Sequence, residues 1–523
     1  MYQSAEKRVK SIVAEDLSSL VRGGFKGLEK ESLRVAADGG VSQVDHPRTL
    51  GSALTNPYIT TDYSEALIEL ITPPFSESGT ALDFLRDAQK YVCGQLDEEI
   101  LWATSMPCVM AGGDNIPIAC YGSSNQGMMK TVYRRGLGHR YGRTMQVIAG
   151  VHFNYSLKPS FWPAYQALES DRRPLRYFID AAYMGLTRNL LRYGWLVPYL
   201  FGVSPAVCKS FLSGKANNLS EFDANTVYEP YATSLRLGDF GYTNSKEKGV
   251  GIKANYNSLD DYIGSLVRAI ETPSPMWEKI GLLVNGRYEQ LNTNILQIEN
   301  EYYSTVRPKQ VLKGLEKPVT ALGRRGVQYI ELRSLDINAF DPLGVSAEQL
   351  DFLEAFLLFC LFQDSPPISV QEQREIDQNL GGVAHRGRDP SLYLLHQGRE
   401  VKLRDWAGEL CAAISGICEI LDSGNVIKPY TRTLQEQQEK LQDPDRTPSA
   451  RMLAQMRENG EGFFHFAQKL SLQHHRYFNS IPMSRERELL FKQHADSSLT
   501  SQAEIESKPQ VSFEQFLRDY FSQ

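Results

Sequence analysis

The chain has 523 residues, 42% of them hydrophobic and 23% charged, and carries a formal net charge of -6 at pH 7. That length exceeds what one hydrophobic core sustains, so two domains, or one large domain with appendages, are expected. The acidic balance disfavours a nucleic-acid partner, whose phosphates are held by basic patches, and the longest apolar run, "AFLLFCLF" at 355–362, falls far short of the roughly 20 residues that cross a bilayer.

The first residues, "MYQSAEKRVKSIVAEDL", carry charge throughout and hold no apolar signal core, so a soluble, cytoplasmic protein is expected. Val9, Ile12, Val13, Leu17 and Leu20 recur at helical spacing and predict an amphipathic first helix. Strands are predicted at 27–35, 66–73, 145–157, 282–292 and 327–337, the fourth turning at Asn285-Gly286 as a tight hairpin. Apolar periodicity over 176–202 and 347–363 predicts helices. From about 345 onward, helices with charged faces dominate, two of them at 431–459 separated by "DPDRTP", and an amphipathic "FEQFLRDYF" closes the chain. Residues 1–345 thus read as a core of mixed strands and helices and 346–523 as a mainly helical region packed on it.

Seven cysteines are an odd number and include no C-x-x-C pair, so neither a disulfide framework nor a zinc site is expected. The paired His474 and His475 sit in a polar helical context and are expected at the surface.

Chemistry enters with "GLEKESLRV" at 27–35. A strand has a period of two, so Glu29 and Glu31 leave one face together. Two carboxylates held that close repel unless a cation lies between them or they face water. The same parity puts Glu331 with Arg333, and His152 with Asn154 and Ser156, each set opposite an apolar face. Glu69 is the lone charge of its strand, preceded by Asp62 in a connecting loop. Carboxylates and one imidazole, converging with arginines, suit a hard divalent cation and an anionic, phosphate-bearing substrate.

No glycine-rich phosphate cradle of the usual spacing is present. A bound nucleotide would therefore rely on metals and on Arg236 and Arg333, with Arg324 and Arg325 either joining them or forming a basic surface turn. The stretches 130–142, 231–244 and 297–309 combine Tyr, Arg and Asn with turn-forming residues, a composition able to enclose a zwitterionic amino acid.

The blocks "RGGFKGLEKESLRV", "ALTNPYITTDYSEALIELITP", "SMPC", "YGRTMQVIAGVHFNYSL", "PYATSLRLGDFGYTN", "LQIENEYYSTVRPK" and "YIELRSLDINAFDPLGV" together resemble glutamate–cysteine ligase of the proteobacterial type, also called gamma-glutamylcysteine synthetase. The resemblance implies an α+β, glutamine-synthetase-like fold: a curved antiparallel sheet forming a funnel, with helices outside. It implies metal ligands at Glu29, Glu31, Asp62, Glu69, His152 and Glu331, catalytic contacts from Arg236 and Arg333, and a cysteine pocket of Tyr63, Tyr133, Leu137, Gln146, Tyr242 and Tyr303. Tyr63 stands where the family leads one to expect Phe, which adds a hydroxyl to that pocket. ATP, L-glutamate and L-cysteine are the implied substrates, magnesium or manganese the implied metal, and a monomer the expected state. The alternatives are a ligase of the same fold that uses another amine acceptor, and a non-catalytic regulator that binds nucleotide or amino acid.

Overall fold

In a computed structural model the chain is described at residues 2–108, 111–212, 217–241 and 252–523. Its centre is a seven-stranded sheet made of β1 (Phe25–Val35), β2 (Ile59–Thr61), β3 (Leu67–Ile71), β4 (Ile100–Leu101), β5 (Val151–Ser156), β6 (Val306–Lys309) and β7 (Tyr329–Leu335). Six strands run in the order β6-β7-β5-β1-β3-β2, with β4 paired to the end of β1, and every pairing is antiparallel. Antiparallel strands can present unlike faces, and β1 uses this fully. Its even-numbered residues Lys26, Leu28, Lys30 and Ser32 are buried behind the sheet, while Glu29 and Glu31 face the opposite way.

Helices surround the sheet. Among those described are α1 (Gln3–Ala14), α2 (Ser78–Cys93), α3 (Asn125–Tyr141), α4 (Leu175–Tyr193), α5 (Ala347–Phe362), α6 (Leu403–Leu421), α7 (Phe463–Ser480), α8 (Arg485–Ser507) and α9 (Phe513–Phe521). Helix α5 is apolar over most of its circumference and accordingly sits within the core, against α1, α2, α4 and α6. Ser346 and Gln349 close a capping box at its start. One continuous apolar cluster runs from Tyr2 to Phe491 and joins the sheet to the C-terminal helices.

Several expectations change at this level. The predicted strand at 145–157 is a strand only over Val151–Ser156, preceded by a 3-10 turn at Met145–Val147. The run 282–292 shrinks to the pairs Leu283–Val284 and Arg287–Tyr288, turning at Asn285 and Gly286 with φ of 51° and 79° as a tight hairpin demands. Cys108 and Cys208 form a disulfide, with Cα atoms 5.5 Å apart across a separation of 100 residues; spacing rules that look for near neighbours could not reveal it. His474 is buried rather than at the surface, and burial together with the Lys30 charge pushes its pKa down to about 4. Among the described residues, no helix is long and apolar enough to cross a membrane.

Candidate active site

The strand order brings the predicted acidic residues together by register. Glu29 stands opposite His152, Glu31 opposite Glu69, and Glu331 opposite Asn154. Opposed residues on one face have Cβ atoms about 5 Å apart, so four carboxylates and an imidazole from β1, β3, β5 and β7 share one small volume.

His152 lies at its centre. Its Nδ1 is 3.0 Å from Glu29 Oε2 and 3.5 Å from Glu331 Oε1, and its Nε2 is 3.7 Å from Glu31 Oε1. Ligand atoms of Glu29, His152 and Glu331 fall within 4.8 Å of one another, close enough to hold a single metal ion. Asn154 donates to Glu29 Oε1 at 2.8 Å, and the Gly150 N–H donates to Glu31 Oε2 at 2.7 Å. These bonds fix carboxylate orientation in the way that outer partners of a metal site do.

The carboxyls divide into two electrostatic sets. Burial pushes Glu29 up, but the hydrogen bond with His152 and the nearby Lys309 charge prevail and hold it below the usual range. Burial acts on Glu331 too, and Lys309, Arg333, His152 and Arg307 outweigh it and hold it well below. Glu31 stays raised by burial and by Asp62, although His152, Arg236 and Arg333 pull the other way. Glu69 is raised well above by burial and by Glu29, Asp62 and Glu31. A divalent cation would relieve that repulsion, and the donor set, oxygens with one imidazole, fits a hard ion.

Cations line the β6–β7 side. Arg333 Nη1 donates to Glu331 Oε1 at 2.9 Å, and Lys309 Nζ lies 3.4 Å from Glu331 Oε2. Arg236 is fully buried, donates to the Arg333 carbonyl at 3.0 Å and sits 3.6 Å from Asp336. Arg307 and Lys309 lie within the 297–309 stretch expected to enclose an amino acid but were not among the named metal or phosphate contacts; the parity rule finds them beside Glu331 once "VRPK" is read as an edge strand, with Pro308 between two side chains of one face. Arg324 and Arg325, by contrast, end a surface helix and pair with Glu316.

The predicted acceptor residues gather around α3. The Tyr303 hydroxyl donates to Gln146 Oε1 at 2.8 Å, and the Tyr303 ring meets Tyr141 edge-on at 5.9 Å. Tyr133 and Leu137 lie one turn apart on α3. A methyl group at Gly138 would come within 2.5 Å of the Tyr63 hydroxyl, which places Tyr63 against the same helix. Beneath them Arg140 and Glu301 form a fully buried ion pair at 2.8 Å, with Tyr141 donating to the same carboxylate oxygen. Asp62 follows β2, and its carbonyl accepts a short hydrogen bond from Arg134 of α3. Tyr242 lies outside the described residues.

A family model for glutamate-cysteine ligase matches residues 9–383 of the chain. The chain belongs to the glutamate–cysteine ligase family. It is 45% identical over 521 residues to the glutamate–cysteine ligase of Alcanivorax borkumensis, covering 99% of each chain. To that of Azotobacter vinelandii it is 46% identical over 505 residues, covering 96% of this chain and 95% of the relative. The crystal structure of the Francisella tularensis glutamate–cysteine ligase in complex with AMP superposes with a TM-score of 0.90 at 33% identity, over 96% of this chain and 98% of that one. The bifunctional glutathione synthetase of Pasteurella multocida shares the fold, with a TM-score of 0.73 at 24% identity over 92% of this chain and 58% of that one.

Proposed function

We propose that this chain joins the gamma-carboxylate of L-glutamate to the amine of L-cysteine at the expense of ATP, giving gamma-glutamylcysteine, ADP and phosphate, the first step of glutathione biosynthesis. The observation that carries this reading is the convergence of four carboxylates and His152 from four strands beside Arg333 and Arg236, in a chain of this family. The glutamate carboxylate attacks the terminal phosphorus of ATP, and the resulting gamma-glutamyl phosphate is attacked by the cysteine amine, with release of phosphate.

Each step assigns work to residues of the chain. Glu29, His152 and Glu331, with Glu31, Asp62 and Glu69 around them, would hold magnesium or manganese, which when bound neutralises charge on phosphate oxygens. Arg333 and Arg236 present guanidinium groups to the charge that develops as phosphoryl transfer proceeds. Lys309 and Arg307 keep Glu331 ionised, ready to serve as a ligand. Tyr133, Leu137, Gln146, Tyr303 and Tyr63 enclose the acceptor. The hydroxyl of Tyr63 and the Nε2 of Gln146 are buried and find no hydrogen-bond partner among the described residues, and such groups call for a polar ligand.

The test is phosphate release from ATP with magnesium and glutamate, with and without cysteine, while product mass is followed. Cysteine-dependent release matched by gamma-glutamylcysteine is expected. Release that follows another amine, 2-aminobutyrate or ammonia, would move the assignment to a different acceptor.

A further inference from the structure

The C-terminal helix α9 lies beyond the residues that the family model matches, yet it reaches back to the helix that lines the acceptor pocket. Phe513 and Leu517 of α9 are buried against Met129 and Val132 of α3 and against Leu291, forming a small apolar cluster apart from the main core. Tyr133 packs against both this cluster and the main core. The acceptor-side tyrosine is therefore wedged between the body of the protein and its tail.

Polar contacts fix the same segment at both ends. Gln510 Oε1 accepts from the backbone N–H of Asn125, the first residue of α3, at 2.6 Å, and the Val511 carbonyl accepts from the Asn125 side chain at 2.9 Å. The tail thus satisfies a donor that a helix start leaves unpaired. Just before it, Glu506 accepts from the Ser123 N–H at 2.8 Å. At the far end Lys317 Nζ donates to the Phe521 carbonyl at 2.8 Å.

Helix α3 needs such support. Its sequence, NQGMMKTVYRRGLGHRY, holds three glycines, the weakest helix formers after proline, so its position depends on what packs against it rather than on intrinsic propensity. The inner side is occupied by Gln297, whose Nε2 donates to the Tyr133 carbonyl at 3.2 Å. The outer side is covered by α9.

Resting on the assignment of Tyr133 and Leu137 to the acceptor pocket, we propose that residues 508–523 are a positioning element for the acceptor amino acid: by capping and packing α3 they hold Tyr133 at the pocket wall and so set the affinity for cysteine. Among the described residues, the hydrogen bonds and ring contacts that leave this segment go to Asn125, Tyr288, Leu315 and Lys317, none of them on a metal-site strand, so its loss should leave the binding of ATP and glutamate in place.

The experiment compares the full-length enzyme with a chain ending at Ser507 and with the Leu517→Ala and Gln510→Ala variants, each checked for folding by thermal melting. The expected result is a rise in KM for cysteine of about tenfold in the truncated chain and less in the point variants, with KM for glutamate and ATP within about twofold. If truncation prevents folding, the two point variants carry the same comparison. Each change is repeated in a Tyr133→Ala background, where the rise in KM for cysteine should largely vanish, because two changes acting through one side chain do not add. An unchanged KM for cysteine, an equal change for all three substrates, or full additivity with Tyr133→Ala overturns the proposal. A full-length enzyme without cysteine-dependent turnover overturns the acceptor assignment itself, and the two failures are thereby told apart.

Discussion

Glu29 and His152 stand opposite each other on β1 and β5, and the imidazole Nδ1 that faces Glu29 at 3.0 Å also lies 3.5 Å from Glu331. One imidazole between two carboxylates is a candidate ligand set held in place by sheet register. Substituting Glu29→Gln or Glu331→Gln keeps the shape and removes the charge. Either variant should lose at least about 100-fold in turnover, since even outer partners of metal ligands cost 10- to 100-fold. Both should melt within a few degrees of the parent. Full activity in a purified variant would remove that residue from the metal set.

The division of the carboxyls predicts a pH dependence of metal binding. Glu31 and Glu69 are held above the ordinary value of 4.5, so the folded protein without metal retains protons there that the unfolded chain has lost. A folded form that binds more protons loses stability as pH rises from the unfolded value through the raised one. A cation must displace those protons. Magnesium affinity should therefore increase with pH, and titration calorimetry in two buffers of different ionisation enthalpy should register proton release. An identical heat in both buffers would show that the two carboxyls are already ionised.

Gly150 explains how Arg236 fits. A Cβ at that position would sit 2.1 Å from Arg236 Nη2 and 2.8 Å from its Cζ. Gly150→Ala must then push the guanidinium off its bond to the Arg333 carbonyl. A misplacement of that size costs on the order of 10²-fold when the group is catalytic, and the loss should appear in kcat/KM for glutamate. Gly381→Ala is the control: it lies mid-helix with open space around it and should leave activity unchanged while stabilising by about 1 kcal/mol.

The sheet face was legible in the sequence because parity on a strand is strict. Glu29 with Glu31, Glu331 with Arg333 and His152 with Asn154 could be paired from spacing alone, and the register then placed them opposite one another. Arg307 and Lys309 follow the same rule but were hidden, because the short edge strand around Pro308 resembles a loop. Long-range facts left no local trace. The Cys108–Cys208 bond joins residues 100 apart, His474 is buried within reach of the charge on Lys30 of β1, and the return of α9 onto α3 depends on the path of α8. Propensity carries no information about any of these.

Behind the sheet, Lys26 and Glu354 form an ion pair at 2.7 Å with both side chains fully buried. Lys26 belongs to β1 and Glu354 to α5, so the pair ties the sheet to the buried helix behind it. Tyr430 donates to Glu354 Oε2 at 2.6 Å and Tyr155 to Oε1 at 3.2 Å, leaving both carboxylate oxygens satisfied. Removing one partner strands a buried charge, so Lys26→Met should destabilise by about 3–5 kcal/mol, read as a fall in the urea midpoint. The double variant Lys26→Met, Glu354→Leu removes both charges and should recover much of that loss. Recovery should stop short of the parent, because each tyrosine hydroxyl left without an acceptor costs about 1–3 kcal/mol. Turnover per folded molecule should be unchanged in both variants, since the network occupies the sheet face opposite Glu29 and Glu31. A loss below about 1 kcal/mol in Lys26→Met, the value of an exposed pair, would mean that water reaches the carboxylate once the lysine is gone.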